Sequence, residues 1–196
     1  AVRRAGVGRQ PVASGLEVAR LLLVVERRLG ARCRRLGRPP LRVAQAAASA
    51  SSVTAAFEAV RAARPALKAG AASAGEASVI NIASMYGAVS PDRRLYDDPA
   101  QQSPFHYGPA KAGLLQLTRH LAGELGAEKI RVNALVPGPF PASAAPKFGQ
   151  RLAARTMLGR LGQAGEIAGP LLFLASPASS FVTGAALNVD GGWTAW

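Results

Sequence analysis

From Ser52 onward, apolar and polar positions fall into an alternating series of elements. Val53, Phe57, Val60 and Ala63–Arg64 recur at helical spacing and predict a helix running to about Lys68. Ala69–Gly75 reads as a small-residue loop. Ser78–Ala83 (SVINIA) is short, β-branched and mostly apolar, which suits a strand buried on both faces. Met85–His106 reads as a long loop rich in Pro, Asp and Arg. Tyr107–Leu125 is predicted helical, with Leu114, Leu117, Leu121 and Leu125 on one side. Pro109 falls in its first turn, where a missing N–H costs little. Ile130–Val136 is a second strand, Pro137–Gln150 a Pro-rich loop, Gly165–Ala175 a helix and Ala186–Val189 a last short strand. This alternation builds a parallel sheet covered on both faces, an α/β fold.

Residues 1–51 have a different character. Ser14-Gly15-Leu16-Glu17 has the spacing of a helix capping box, Leu16, Ala19 and Leu23 follow at helical spacing, and Gly30 could end that helix. The remainder shows no period. The net charge of +13 is concentrated here: residues 1–42 hold 11 Arg and 2 Glu, whereas residues 43–196 have a net of +4. A basic arm can bind phosphates, but residues 1–42 contain no aromatic side chain to stack on bases. Nucleic acid is therefore not the expected partner. Leu21–Val25 is too short for a secretion signal and nothing approaches the roughly 20 apolar residues of a membrane span. Cys33 stands alone, so no internal disulfide is expected, and the default location is cytoplasmic.

The candidate chemistry centres on Tyr107-Gly108-Pro109-Ala110-Lys111. Residues four apart on a helix project from one face, so Lys111 can place its charge near the Tyr107 hydroxyl. A phenol with a pKa of about 10 is a poor base at neutral pH. A neighbouring ammonium favours the phenolate, so Tyr107 could act as general acid or base for an alcohol/ketone pair. Ser84 ends the first strand at its carboxyl side, where open α/β sheets place ligands. Its hydroxyl could bond a substrate oxygen as charge develops there. His106 and His120 lack partners at metal-ligand spacing, so no metal site is expected. Asn81 and Asn133 are expected to serve strand and loop hydrogen bonds. Trp193 and Trp196 are expected at a surface or subunit contact rather than at a cofactor.

Four blocks in order carry a family resemblance: VINIASMYG (Val79–Gly87), YGPAKAG (Tyr107–Gly113), IRVNALVPG (Ile130–Gly138) and FLASPASSFVTGAALNVDGG (Phe173–Gly192). They resemble the short-chain dehydrogenase/reductase family over about three-quarters of the chain. The resemblance implies a Rossmann-like, doubly wound parallel sheet, an NAD or NADP cofactor, and hydride transfer at a carbonyl or alcohol. It implies that Ser84 polarises the substrate oxygen and that Tyr107 exchanges the proton. Lys111 would lower the Tyr107 pKa and bond the nicotinamide ribose, and Pro137-Gly138 would pack beside the nicotinamide. The cofactor-binding set is thus Tyr107, Lys111, Pro137 and Gly138. It further implies dimers or tetramers built on the Tyr107–Leu125 helix and the last strand, for which Leu114, Leu115, Leu117 and Leu121 offer apolar surface.

The chain departs from the family pattern in two places. Family members often carry a catalytic Asn on the helix before the serine strand, and Ser52 occupies that position here. The opening T-G-x-x-x-G-x-G turn that cradles the diphosphate, and a later Asn-Asn-Ala-Gly block, have no counterpart. Gly6-Val7-Gly8 is only a G-x-G with Pro11 close behind. The expected organisation is therefore residues 1–51 as a basic, divergent or out-of-frame segment, leaving the N-terminal part of the fold incomplete, and residues 52–196 as the catalytic part of one domain. Poor cofactor binding is expected, and a catalytically impaired remnant with a structural or oligomer-partner role is the alternative to an oxidoreductase. Ser84 and Tyr107 stand about ten residues further apart than the family usually needs, so Met85–His106 is expected to be a polar substrate lid favouring a sugar-like substrate.

Overall fold

The computed structural model describes residues 41–196, with side chains from Ser52 onward. The expected helix after Ser14 and the Gly6-Val7-Gly8 segment lie outside the described residues. Helix α1 spans Leu41–Ala74, longer at both ends than its stripe suggests. The expected loop Ala69–Gly75 is instead its last turns: small residues do not stop a helix when one of them, Ala71, is buried against the core. The stop comes at Gly75, whose φ of +91° is the left-handed conformation glycine adopts without penalty, and whose N–H bonds the Ala71 carbonyl.

Strand β1 (Ala77–Ile82), helix α2 (Tyr107–Leu125), strand β2 (Ile130–Pro137) and strand β3 (Ala186–Val189) follow the expected order. The three strands form a parallel sheet in the order β1-β2-β3, with Ile82 opposite Leu135 and Pro137 opposite Val189. Pro137–Gln150 proves to be only partly loop. Helix α3 begins at Pro146 and runs to Ala154, Pro146 being tolerated in the first turn for lack of an N–H to satisfy there. The expected helix Gly165–Ala175 opens with a tight turn, Ala164–Ile167, before helix α4 (Ala168–Ala175).

The alternation of strand side chains divides the sheet into two unlike faces. Val79, Ile130, Val132, Ala134 and Val136 point to α1 and α2, where Val60, Leu114, Leu121 and Leu125 complete an apolar core. On the other face Ser78 Oγ bonds the Leu174 carbonyl of α4. Arg131, 6 % exposed, there binds both Glu76 carboxylate oxygens, the Leu174 and Ser176 carbonyls and Ser179 Oγ. Asn133 bridges Val182 and Ala185, and Asn81 bonds Thr118 of α2, so both asparagines serve the hydrogen-bonding roles expected of them. Leu114, Leu115 and Leu121 are buried within this chain, so α2 has no apolar surplus of the kind that suggested an oligomer contact. Trp193, expected at a surface, is 2 % exposed and sits in a cluster with Met85, Leu95 and Leu152, while Trp196 is largely exposed.

Candidate active site

The parallel register ends with Ile82 opposite Leu135, so that Ser84 and Pro137, each two residues on, both lie at the carboxyl edge of the sheet. Ala83 still bonds the Leu135 carbonyl. Ser84 then leaves the strand and caps a single tight turn, Met85–Gly87, its Oγ accepting the Tyr86 N–H at 3.2 Å. Ser84 is 7 % exposed.

That turn lies directly on the start of α2. A Cβ at Gly87 would stand 2.8 Å from the Lys111 carbonyl carbon and 2.9 Å from its oxygen. One at Gly108 would stand 2.9 Å from the Tyr86 carbonyl oxygen. Only glycine permits both approaches, and they fix the serine turn against the first two turns of the tyrosine helix. Tyr107 opens that helix and keeps 37 % of its surface open to solvent. Lys111, one turn on, donates to the Ile82 carbonyl at 2.9 Å, and its ammonium lies 5.7 Å from the centre of the Tyr107 ring. Ser84, Tyr107, Lys111 and Pro137 therefore gather at one end of the sheet. Gly138 joins them: its N–H bonds the Val189 carbonyl, and a Cβ there would fall 2.5 Å from Asp190 Cα. Ser52 lies exposed on α1, next to Val53, whose side chain would stand 3.0 Å from a Cβ at Gly113 of α2.

The loop Met85–His106 carries two further tight turns, Arg93–Leu95 and Pro99–Gln101. It is anchored to α3 rather than free. Leu95 is buried in the Trp193 cluster, Tyr96 packs on Phe148, and Asp97 pairs with Arg151 at 2.6 Å and Lys147 at 3.6 Å. Asp92 pairs with Arg94, and with Arg155 at 3.8 Å. The Arg94 side chain, with its backbone N–H, holds the Asp92 carboxyl down to about 2. Of the charges that suggested a polar substrate, Asp92 and Arg94 thus neutralise one another and Asp97 is neutralised from α3.

Tyr86, not among the expected site residues, stands against Tyr107. Its phenol is pushed well above the ordinary tyrosine range, first by burial and then by a hydrogen bond with the Tyr96 side chain. A signal was present: the chain's three tyrosines all fall between Tyr86 and Tyr107. A separate cavity of about 230 Å³ at the same end of the sheet is lined by Phe140, Arg160, Asn188 and Asp190, and by none of Ser84, Tyr107 and Lys111. Its charges are engaged, Arg160 with Glu166 and Asp190 with Gly192 and Thr194. Among the described residues there is no cluster of metal-ligating side chains and no helix long and apolar enough to cross a membrane.

Known proteins share this chain's sequence pattern and fold. A family model described as enoyl-(acyl carrier protein) reductase covers residues 42–194. Galactitol 2-dehydrogenase (L-tagatose-forming) of Cereibacter sphaeroides is 40 % identical over 128 residues, 62 % of this chain and 47 % of that protein. A short-chain dehydrogenase from Leptospira borgpetersenii, solved with bound NAD+, superposes with a TM-score of 0.62 at 31 % identity, covering 72 % of this chain and 54 % of the other. A gluconate 5-dehydrogenase from Burkholderia cenocepacia, solved with NADP and tartrate, gives 0.63 at 28 % identity, covering 74 % and 54 %. The chain spans about half the length of the curated relatives it matches.

Proposed function

The chain belongs to the short-chain dehydrogenase/reductase family, and on that premise we propose that it moves a hydride between NAD or NADP and a polar, polyhydroxylated alcohol or its ketone. The observation that carries the reading is the locked pair of Tyr107 and Lys111 against the Ser84 turn, at the carboxyl end of a parallel sheet. The polyol class is supported by the galactitol and gluconate activities named for the relatives. The loop charges add less support, since Asp92 is paired with Arg94 and Asp97 with Arg151 of α3.

The residues present fit the cofactor's nicotinamide end. Tyr107 and Lys111 offer a hydroxyl and an ammonium to a ribose, and Pro137-Gly138 follows β2 at the same edge of the sheet. Bound NAD(P) supplies hydride donor or acceptor chemistry. The chain's own work is to handle the oxygen and its proton. As the substrate C–H bond gives up its hydride, the O–H proton passes to Tyr107 and a C=O bond forms; reduction reverses both transfers. Lys111 stabilises the charge on Tyr107 through the field of its ammonium. Ser84 spends a lone pair on the Tyr86 N–H, which leaves its own hydrogen for the substrate oxygen.

Residues 1–51 carry no G-x-x-x-G-x-G pattern to receive a diphosphate, so we expect NADH and NADPH to bind more weakly than about micromolar. The experiment for the reading as a whole is turnover at millimolar NAD+ or NADP+ with galactitol, gluconate and a steroid alcohol. The account expects reduced nicotinamide with the polyols and none with the steroid; the reverse preference defeats it.

A further inference from the structure

All three tyrosines of the chain meet beside the site, and Tyr86 is the one that touches both others. Its ring stands edge-on to Tyr107, with centroids 6.5 Å apart and planes at 85°, and edge-on to Trp193 at 6.4 Å and 76°. Tyr86 and Tyr96 both pack on the Trp193 cluster, and after burial it is the Tyr96 side chain that does most to raise the Tyr86 phenol. Its main chain has little room to slide, being wedged against α2 at Gly87 and Gly108.

Each neighbour is fixed from behind. Asp190 accepts the Gly192 and Thr194 N–H groups and the Thr194 hydroxyl, closing the turn that delivers Trp193 into the core. Arg155 lies 5.7 Å over the Trp193 ring. Tyr96 rests on Phe148 of α3 with centroids 5.4 Å apart, in the loop that Asp97 and Arg151 clamp. A continuous chain of contacts therefore runs from the loop through Tyr96 and Tyr86 to Tyr107.

We infer that Tyr86 is a positioning residue: its ring, backed by Trp193, sets the orientation of the Tyr107 phenol, and its hydroxyl ties that orientation to the loop carrying Tyr96. The inference rests on the proposed role of Tyr107. Tyr86 is distinguished from the proposed proton carrier by geometry, since the Lys111 ammonium stands over the Tyr107 ring. What it adds is coupling: a substrate that shifts the loop is felt at the proton-handling group, so the loop can influence kcat as well as KM.

The test uses the whole chain, without cofactor, carrying ¹³C-labelled tyrosine rings. Three tyrosines give a spectrum that Tyr107→Phe, Tyr96→Phe and Tyr86→Phe assign by loss of a signal. Tyr86→Leu should shift the Tyr107 ring signal, because the edge-on ring is gone. Tyr96→Phe removes one oxygen and leaves the Phe148 contact; it should move the Tyr86 signal and, through it, that of Tyr107. With cofactor and polyol, Tyr86→Leu should lower kcat by roughly 10-fold or more with a smaller change in KM, and Tyr86→Phe should restore most of it. A Tyr107 signal that stays in place in Tyr86→Leu overturns the inference. If that variant does not fold, a Tyr107 signal unmoved in Tyr96→Phe while Tyr86 shifts overturns it equally. If no preparation, native chain included, turns over any polyol, the functional reading fails, and the tyrosine signals still decide this one.

Discussion

The turn Ser84–Gly87 and the loop Asp92–Gln101 flank the same tyrosine and are held in opposite ways. The turn is held main chain to main chain, through Gly87 against Lys111 and Tyr86 against Gly108. The loop is held by side chains: Leu95 in an apolar cluster, Tyr96 on Phe148, and ion pairs from Asp92 and Asp97 to arginines of α3 and its end. Backbone contacts admit no alternative packing, whereas exposed ion pairs are weak and salt-sensitive. The difference teaches a division of labour. The group proposed to move a proton begins the helix against which the turn is wedged, and the loop proposed to meet the substrate is held by contacts that adjust more easily.

The largest expected effect comes from removing the proton carrier itself. Tyr107→Phe should lower turnover by at least about 100-fold, the low end of what general acid–base catalysis supplies, while the melting temperature stays unchanged because the ring is half in solvent. Loss of the fold with the hydroxyl would place Tyr107 in the structure rather than in the chemistry. Next comes the rigid floor. Gly87→Ala forces a methyl to within 2.8 Å of the Lys111 backbone and should cost about 1–3 kcal/mol together with a fall in kcat. Gly123→Ala, later on the same helix, meets nothing within 4 Å and should be neutral or slightly stabilising. Equal responses at the two positions would erase the contrast between floor and surface.

Smaller effects should follow pH. The Tyr86 phenol is raised in the folded chain, so its contribution is complete below the ordinary tyrosine value of about 10 and is lost as pH rises beyond it. Thermal melts should show an alkaline loss that Tyr86→Phe reduces. Asp92 and Glu166 are held near 2 by Arg94 and Arg160 respectively, so their contribution is present above about pH 4 and is lost as pH falls toward 2. The smallest effect belongs to the loop's ion pairs: Asp97→Asn frees Arg151 and Lys147 on an exposed surface. It should leave the melting temperature within measurement scatter and raise KM in low salt, with the difference vanishing in high salt. Deleting Asp92–Gln101 is a harsher intervention, since it takes Leu95 out of the core cluster and should destabilise the chain besides raising KM.

What was legible in the sequence follows the same division. Helix α2 and strand β3 match their expected bounds, and β1 and β2 differ by a residue, because each is a short apolar or periodic run bounded by turn residues. Ser84, Tyr107 and Lys111 were readable because short-range spacing places them: four residues on one helix, and the end of one strand. The features missed depend on contacts across long sequence separations. Ala69–Ala74 has four alanines, the best helix formers, but no apolar stripe to show which face is buried, and nothing local marks Trp193 as buried. The Arg131 anchor, whose partners lie at Glu76 and between Leu174 and Ser179, is equally invisible from the strand alone. Tyr86 was passed over because it looks like a loop residue until Trp193 arrives from the far end of the chain.

Whether the site does what its geometry suggests is tested most directly by following the hydride. The chain is incubated with galactitol deuterated at its carbinol carbons and millimolar NAD+ or NADP+, and the nicotinamide is analysed by mass spectrometry. The account predicts deuterium in the reduced nicotinamide with the native chain, and its near-complete absence with Tyr107→Phe. Label transfer that is equal in both proteins, or absent from the native chain across the polyol series, would contradict it.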